Sequence, residues 1–144
     1  MKMFTPGRLF LLLLSLMTFS LAQAEEAIEH IGNAKLSELM AQGVTLVDIR
    51  TEPEWQQTGV VEGAHTITLF DLSGRPREDF VPRLEALLGG RDAPVAFICR
   101  SGNRSAVAAN ALTSQLGFEK IYNVSSGMNG WLGEKRPVIP YQKP

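Results

Sequence analysis

The sequence predicts an α/β fold with a central parallel sheet of about five strands and helices on both faces. Three observations lead there. Short apolar runs such as Val44-Thr45-Leu46-Val47-Asp48-Ile49 and Pro94-Val95-Ala96-Phe97-Ile98 read as strands buried on both sides. Segments with a single apolar stripe stand between them; the clearest carries Ala108, Leu112 and Leu116 at helical spacing and stops at Gly117. Strands alternating with helices imply right-handed crossovers, and so a parallel sheet.

The elements follow in chain order. Residues 1–24 read as a cleavable signal peptide: Lys2 and Arg8 precede 13 nearly uncharged residues from Leu9 to Leu21, and Ala22-Gln23-Ala24 has the small-x-small form of a cleavage site. That run is shorter than the roughly 20 residues a membrane span needs, so no stable span is expected after cleavage. Residues 25–144 then form one domain of 120 residues, exported to a bacterial periplasm or secreted. Within it, residues 27–31 alternate as a short strand, and 34–41 form a helix behind an Asn33 cap that ends before Gly43. The strand over 44–49 precedes a short helix at about 52–57, opened by Pro53. A brief strand at 66–68 leads to a helix over 77–88, with Phe80, Leu84, Leu87 and Leu88 on one face and Gly89-Gly90 as its stop. Then come the strand at 94–98, the helix starting near Asn103, a strand at 120–123, a helical turn at 128–132 and a proline-spaced tail.

The chemistry concentrates in Cys99-Arg100-Ser101-Gly102-Asn103-Arg104-Ser105. A thiol here lies at the carboxyl end of a strand and faces a helix amino terminus, where ligands of such sheets bind. Inward-turned N–H groups and the helix start favour an anion, and Arg100 and Arg104 add two full charges. Such surroundings bring a cysteine from about 8.5 into the range of roughly 3.5 to 7.5, where the thiolate dominates at neutral pH. Cys99 is therefore the expected nucleophile. Gly102 suits a loop that curls closely around one atom.

Four motifs occur in order: Val47-Asp48-Ile49-Arg50 with Glu54-Trp55, then Gly59-Val60-Val61-Glu62-Gly63-Ala64, then Cys99 to Ser105, then Gly127-Met128-Asn129-Gly130-Trp131. Together they resemble the rhodanese (thiosulfate sulfurtransferase) family. The resemblance implies that Cys99 takes the sulfane sulfur of thiosulfate or a similar donor, forms a persulfide, and passes the sulfur to cyanide, a small thiol or a protein thiol. Arg100, Ser101, Gly102, Asn103 and Arg104 are the expected substrate-binding residues, with Asp48, Arg50 and Ser105 supporting them from behind. Trp55 and Trp131 are expected to pack, and His30 and His65 to be structural or exposed. A persulfide carrier in a sulfur relay would use the same residues; a non-enzymatic binding or redox module of the same fold is a further alternative. Phosphatase or arsenate reductase chemistry is disfavoured, because such loops place five residues between cysteine and arginine and four separate Cys99 from Arg104.

Composition narrows the field further. The net charge of −1 becomes −3 once Lys2 and Arg8 are removed, which offers no basic field for nucleic acid. A single cysteine closes no internal disulfide, and with two histidines a structural metal site is not expected; nor is a cofactor. A lone thiol in an exported domain suggests chemical use.

Overall fold

The structure, a computed structural model, describes residues 26–144. The expected signal peptide lies outside the described residues. Five strands form one parallel sheet: β1 (Ile28–Ile31), β2 (Thr45–Asp48), β3 (His65–Thr66), β4 (Val95–Ile98) and β5 (Ile121–Val124), in spatial order β1-β5-β4-β2-β3. Between and after them run α1 (Asn33–Ala41), α2 (Glu52–Thr58), α3 (Phe80–Leu88), α4 (Asn103–Leu116) and α5 (Gly127–Gly133).

The pleat sends alternate strand residues to opposite faces. Val47, Val95, Phe97 and Ile121 pack with Phe80 and Leu84 of α3 and Ala108, Ala109 and Leu112 of α4. Leu46, Ala96, Ile98 and Val124 pack with Leu36 and Leu39 of α1 and Met128 and Trp131 of α5. Helices thus cover both faces, as the continuous apolar strands require. The alanines at 108 and 109 bring α4 close to the sheet.

Two boundaries differ from expectation in an instructive way. Asn33 is the first residue of α1 rather than its cap; Gly32 caps in extended backbone, and Asn33 is buried. The α3 helix begins at Phe80, three residues later than the apolar pattern suggests. Arg77 is held in a turn by its N–H to the Leu69 carbonyl (2.9 Å) and by its ion pair with Asp79 (2.9 Å). Trp55 and Trp131 are packing residues: Trp55 lies 5.1 Å from the Tyr141 ring, and Trp131 donates to the Pro137 carbonyl at 2.9 Å.

At the carboxyl end of β2 lies a fully buried ion pair. Arg50 Nε sits 2.9 Å from Asp48 Oδ1 and Nη2 sits 2.8 Å from Oδ2, while neither residue exposes more than 1% of its surface. The other guanidinium hydrogens go to Thr58 Oγ1 (2.8 Å) and the Gly59 carbonyl (3.0 Å), so every side of the buried cation meets an acceptor. The pair ties the end of α2 to the sheet. Because removing one partner strands a buried charge, Asp48→Ala should cost roughly 3–5 kcal/mol in urea unfolding. The double change Asp48→Leu with Arg50→Met should recover much of that loss.

Candidate active site

Registry sets the stage. Asp48 of β2 pairs with Ile98 of β4, so the chain leaving β4 at Cys99 emerges beside the Asp48–Arg50 pair, at the carboxyl edge of the sheet. Cys99 is buried, and its Sγ accepts the Gly102 N–H at 3.1 Å and lies 3.3 Å from Ser105 Oγ. Burial raises the Cys99 thiol, but the Ser105 hydroxyl and the backbone N–H groups of Ser105, Ser101 and Gly102 outweigh it and hold the thiol below its ordinary range. The donors therefore outweigh burial and shift the sulfur toward its charged form relative to an ordinary thiol.

Glycine makes the loop possible at two points. Gly102 caps α4 at φ 89°, and a Cβ there would stand 2.2 Å from the Ser125 carbonyl oxygen. Gly127, at φ 56°, would meet the Cys99 and Arg100 carbonyls at 2.6 Å. From behind, α5 donates Met128 N–H to the Cys99 carbonyl (2.8 Å) and Asn129 N–H to the Arg100 carbonyl (2.9 Å). The glycine motif at 127–131 is therefore the back wall of the cysteine loop.

The two arginines separate. Arg104 forms a two-pronged ion pair with Glu54, Nη1 to Oε2 at 2.9 Å and Nη2 to Oε1 at 2.6 Å, and is partly buried. Its guanidinium thus meets a carboxylate, a partner that the sequence reading of Arg104 as a substrate-binding residue does not include. Arg100 is exposed, has no carboxylate partner among the described residues, and lines a cleft of about 390 Å³ with Arg50, Glu54, Thr58, Met128 and Asn129. Ser101 on the loop and Asn103 at the start of α4 are exposed; Ser105 is fully buried behind the sulfur. His65 is exposed on β3, and His30 is exposed yet has its ring nitrogen 3.0 Å from Asn123.

Glu54 is the residue that sequence reasoning passed over. Besides Arg104, its Oε2 accepts the Thr51 N–H (3.0 Å) and hydroxyl (2.9 Å), turning back over the first turn of α2. Thr51-x-x-Glu54 is a helix-start signature legible in the sequence. What it leaves unspecified is a partner 50 positions away. Among the described residues, no cluster of His, Cys, Asp or Glu could hold a metal ion.

Comparison with known proteins now adds to the geometry. The model of the Rhodanese-like domain family matches residues 32–134. The chain belongs to this rhodanese-like family. It is 36% identical over 101 residues to the uncharacterized protein RP600 homolog of Rickettsia rickettsii, covering 67% of this chain and 81% of that protein. Its identity with the thiosulfate sulfurtransferase GlpE of Tolumonas auensis is 32% over 103 residues, covering 72% and 82%. Among solved structures, Rv0390 from M. tuberculosis superposes with a TM-score of 0.66 at 27% identity, over 81% of this chain and all of that one. The rhodanese-like resemblance read from the four motifs is thus established, fold included.

Glu54 carries a pH signature. Burial raises its carboxyl, yet hydrogen bonds from Arg104 and from the Thr51 N–H and hydroxyl bring it from 4.5 down to about 2. A carboxyl held lower in the folded than in the unfolded state binds fewer protons when folded, so its contribution is complete above pH 4.5 and is lost as pH falls toward 2. In urea unfolding, the stability gap between wild type and Glu54→Gln should be widest above pH 5 and close progressively between about pH 4.5 and 2. A gap independent of pH would show that Glu54 acts by shape alone.

Proposed function

We propose that this protein is a rhodanese-type sulfurtransferase with Cys99 as its nucleophile. One observation carries the reading: a buried sulfur, held toward the thiolate by Gly102, Ser101 and Ser105 donors, at the carboxyl edge of a rhodanese-like sheet. Similarity to proteins named thiosulfate sulfurtransferase supports it.

In the proposed cycle the Cys99 thiolate bonds to the sulfane sulfur of thiosulfate, the bond to the sulfite sulfur breaks, and sulfite leaves with the electron pair. The product is a Cys99 persulfide, its terminal sulfur anionic. Loop N–H groups that favour the thiolate are placed to favour this second sulfur anion as well. An acceptor, cyanide or a thiolate, then attacks the terminal sulfur and regenerates Cys99. Arg100, exposed at the cleft and without a carboxylate partner among the described residues, is the proposed contact for the donor's sulfonate oxygens. Arg104, joined to Glu54, contributes its charge from the side and holds the start of α4. Gly102 provides the N–H, and Ser101 and Asn103 form the exposed rim that a donor meets first. The amino-terminal pattern of charge, apolar run and small residues supports export as the setting.

Intact-mass analysis tests the core of the proposal. After incubation with thiosulfate the protein should gain the mass of one sulfur atom, lose it on adding cyanide, and gain nothing as Cys99→Ser; absence of the adduct in the unaltered protein would defeat the reading. Arg100→Ala should raise KM for thiosulfate by about tenfold, the order expected from losing one charge-assisted contact. It should have little effect on KM for an uncharged sulfane-sulfur donor such as a dialkyl trisulfide; equal effects on both would remove Arg100 as the anion contact.

A further inference from the structure

One histidine outside the loop is joined to the sulfur by a continuous hydrogen-bonded chain. The parallel register sets His30 of β1 directly beside Asn123 of β5. Asn123 Nδ2 lies 3.0 Å from His30 Nδ1 and 3.3 Å from the Gly102 carbonyl oxygen. Asn123 Oδ1 lies 2.5 Å from Ser105 Oγ, which is 3.3 Å from Cys99 Sγ. Asn123 and Ser105 are 2% and 0% exposed, so water does not substitute freely for these contacts.

The partners assign the protons. A carbonyl oxygen only accepts, so the Asn123 amide nitrogen faces Gly102 and its oxygen faces Ser105. An amide nitrogen only donates; His30 Nδ1 is therefore the acceptor, and the neutral ring carries its hydrogen on Nε2. The Ser105 hydroxyl then has one proton and three acceptors: Asn123 Oδ1 at 2.5 Å, the Gly102 carbonyl at 3.2 Å and Cys99 Sγ at 3.3 Å. Whatever the amide oxygen takes, the sulfur loses.

We propose that His30 is a positioning residue for the Cys99 nucleophile: by steadying the Asn123 amide with its oxygen toward Ser105, it weakens, without removing, the Ser105 hydroxyl's hydrogen bond to the sulfur. A sulfur with a weaker donor is more basic and, as a thiolate, more nucleophilic. Without the imidazole, the amide keeps only the Gly102 carbonyl, a longer contact to an oxygen that already accepts the Ala106 N–H at 3.1 Å. Held by one contact fewer, the amide oxygen keeps a weaker hold on the Ser105 proton, and a larger share of that hydrogen bond passes to Sγ. The charged groups around the sulfur, Arg100, Arg104 with Glu54, and Asp48 with Arg50, take no part in this exchange. On the His30 side, the Glu29–Lys120 ion pair belongs to the neighbouring register position and is likewise unchanged.

This inference rests on Cys99 being the nucleophile, and its test reads the thiol without requiring sulfur transfer. With a single cysteine in the chain, the ultraviolet absorbance of the thiolate, referenced to Cys99→Ser, reports Cys99 ionisation alone. His30→Ala should lower the midpoint of that titration by roughly half a unit to one unit, the size of one hydrogen bond. The alkylation rate of the fully ionised thiolate should fall about two- to threefold with it. In a Ser105→Ala background, where the hydroxyl is gone, His30→Ala should move neither quantity. An unmoved or raised midpoint, or an equal shift in both backgrounds, overturns the proposal. Failure of the thiosulfate mass gain with these shifts intact would instead count against the sulfurtransferase reading alone.

Discussion

The buried pair of Asp48 and Arg50 is the constraint from which the site is built outward. Both charges are out of water, so the guanidinium must find acceptors on every side, and it finds them in Asp48, Thr58 Oγ1 and the Gly59 carbonyl. Those last two lie at the end of α2, which is thereby fixed against the end of β2. With α2 fixed, Glu54 on its first turn stands where Arg104 of α4 can meet it with both nitrogens. A chain of charge thus runs from the sheet through α2 to the helix that opens behind Cys99. An apolar pair could fill the same volume, but it would carry no directional demand on Thr58 and Gly59.

Electrostatics at the sulfur is a contest between two effects of enclosure. Removing Cys99 from water disfavours its thiolate, and the donors arranged around it reverse that preference. The division of labour between the two arginines follows the same logic. Arg104 is paired with Glu54, whereas Arg100 has no carboxylate partner among the described residues and lines the cleft.

Local grammar made the sheet order's ingredients, the cysteine loop and its glycine legible from sequence, because each depends on residues within a few positions of one another. Continuous apolar strands predicted a parallel sheet covered on both faces, and the structure has it. What eluded sequence reasoning are pairings across long separations. Glu54 and Arg104 meet over 50 positions, and His30 and Asn123 over 93, through a strand register that no local pattern encodes. The start of α3 departs from the local pattern for a related reason: that pattern extends back to Arg77, but a tertiary hydrogen bond to the Leu69 carbonyl holds that residue in a turn.

The glycine motif at 127–131 shows how a segment can shape chemistry without touching the reacting atom. A peptide unit is planar and trans, so its C=O and the following N–H point in opposite directions. Asn129 N–H draws the Arg100 carbonyl backward, away from the sulfur. The N–H of Ser101, on the other end of that same peptide plane, is consequently turned forward, and it is one of the groups that hold Cys99 toward its thiolate. Only a residue without a side chain lets α5 approach this closely, since a Cβ at Gly127 would collide with the very carbonyls being oriented. The back wall therefore sets the direction of the donors in front, which is why a glycine 28 positions beyond the cysteine bears on the charge state of its sulfur.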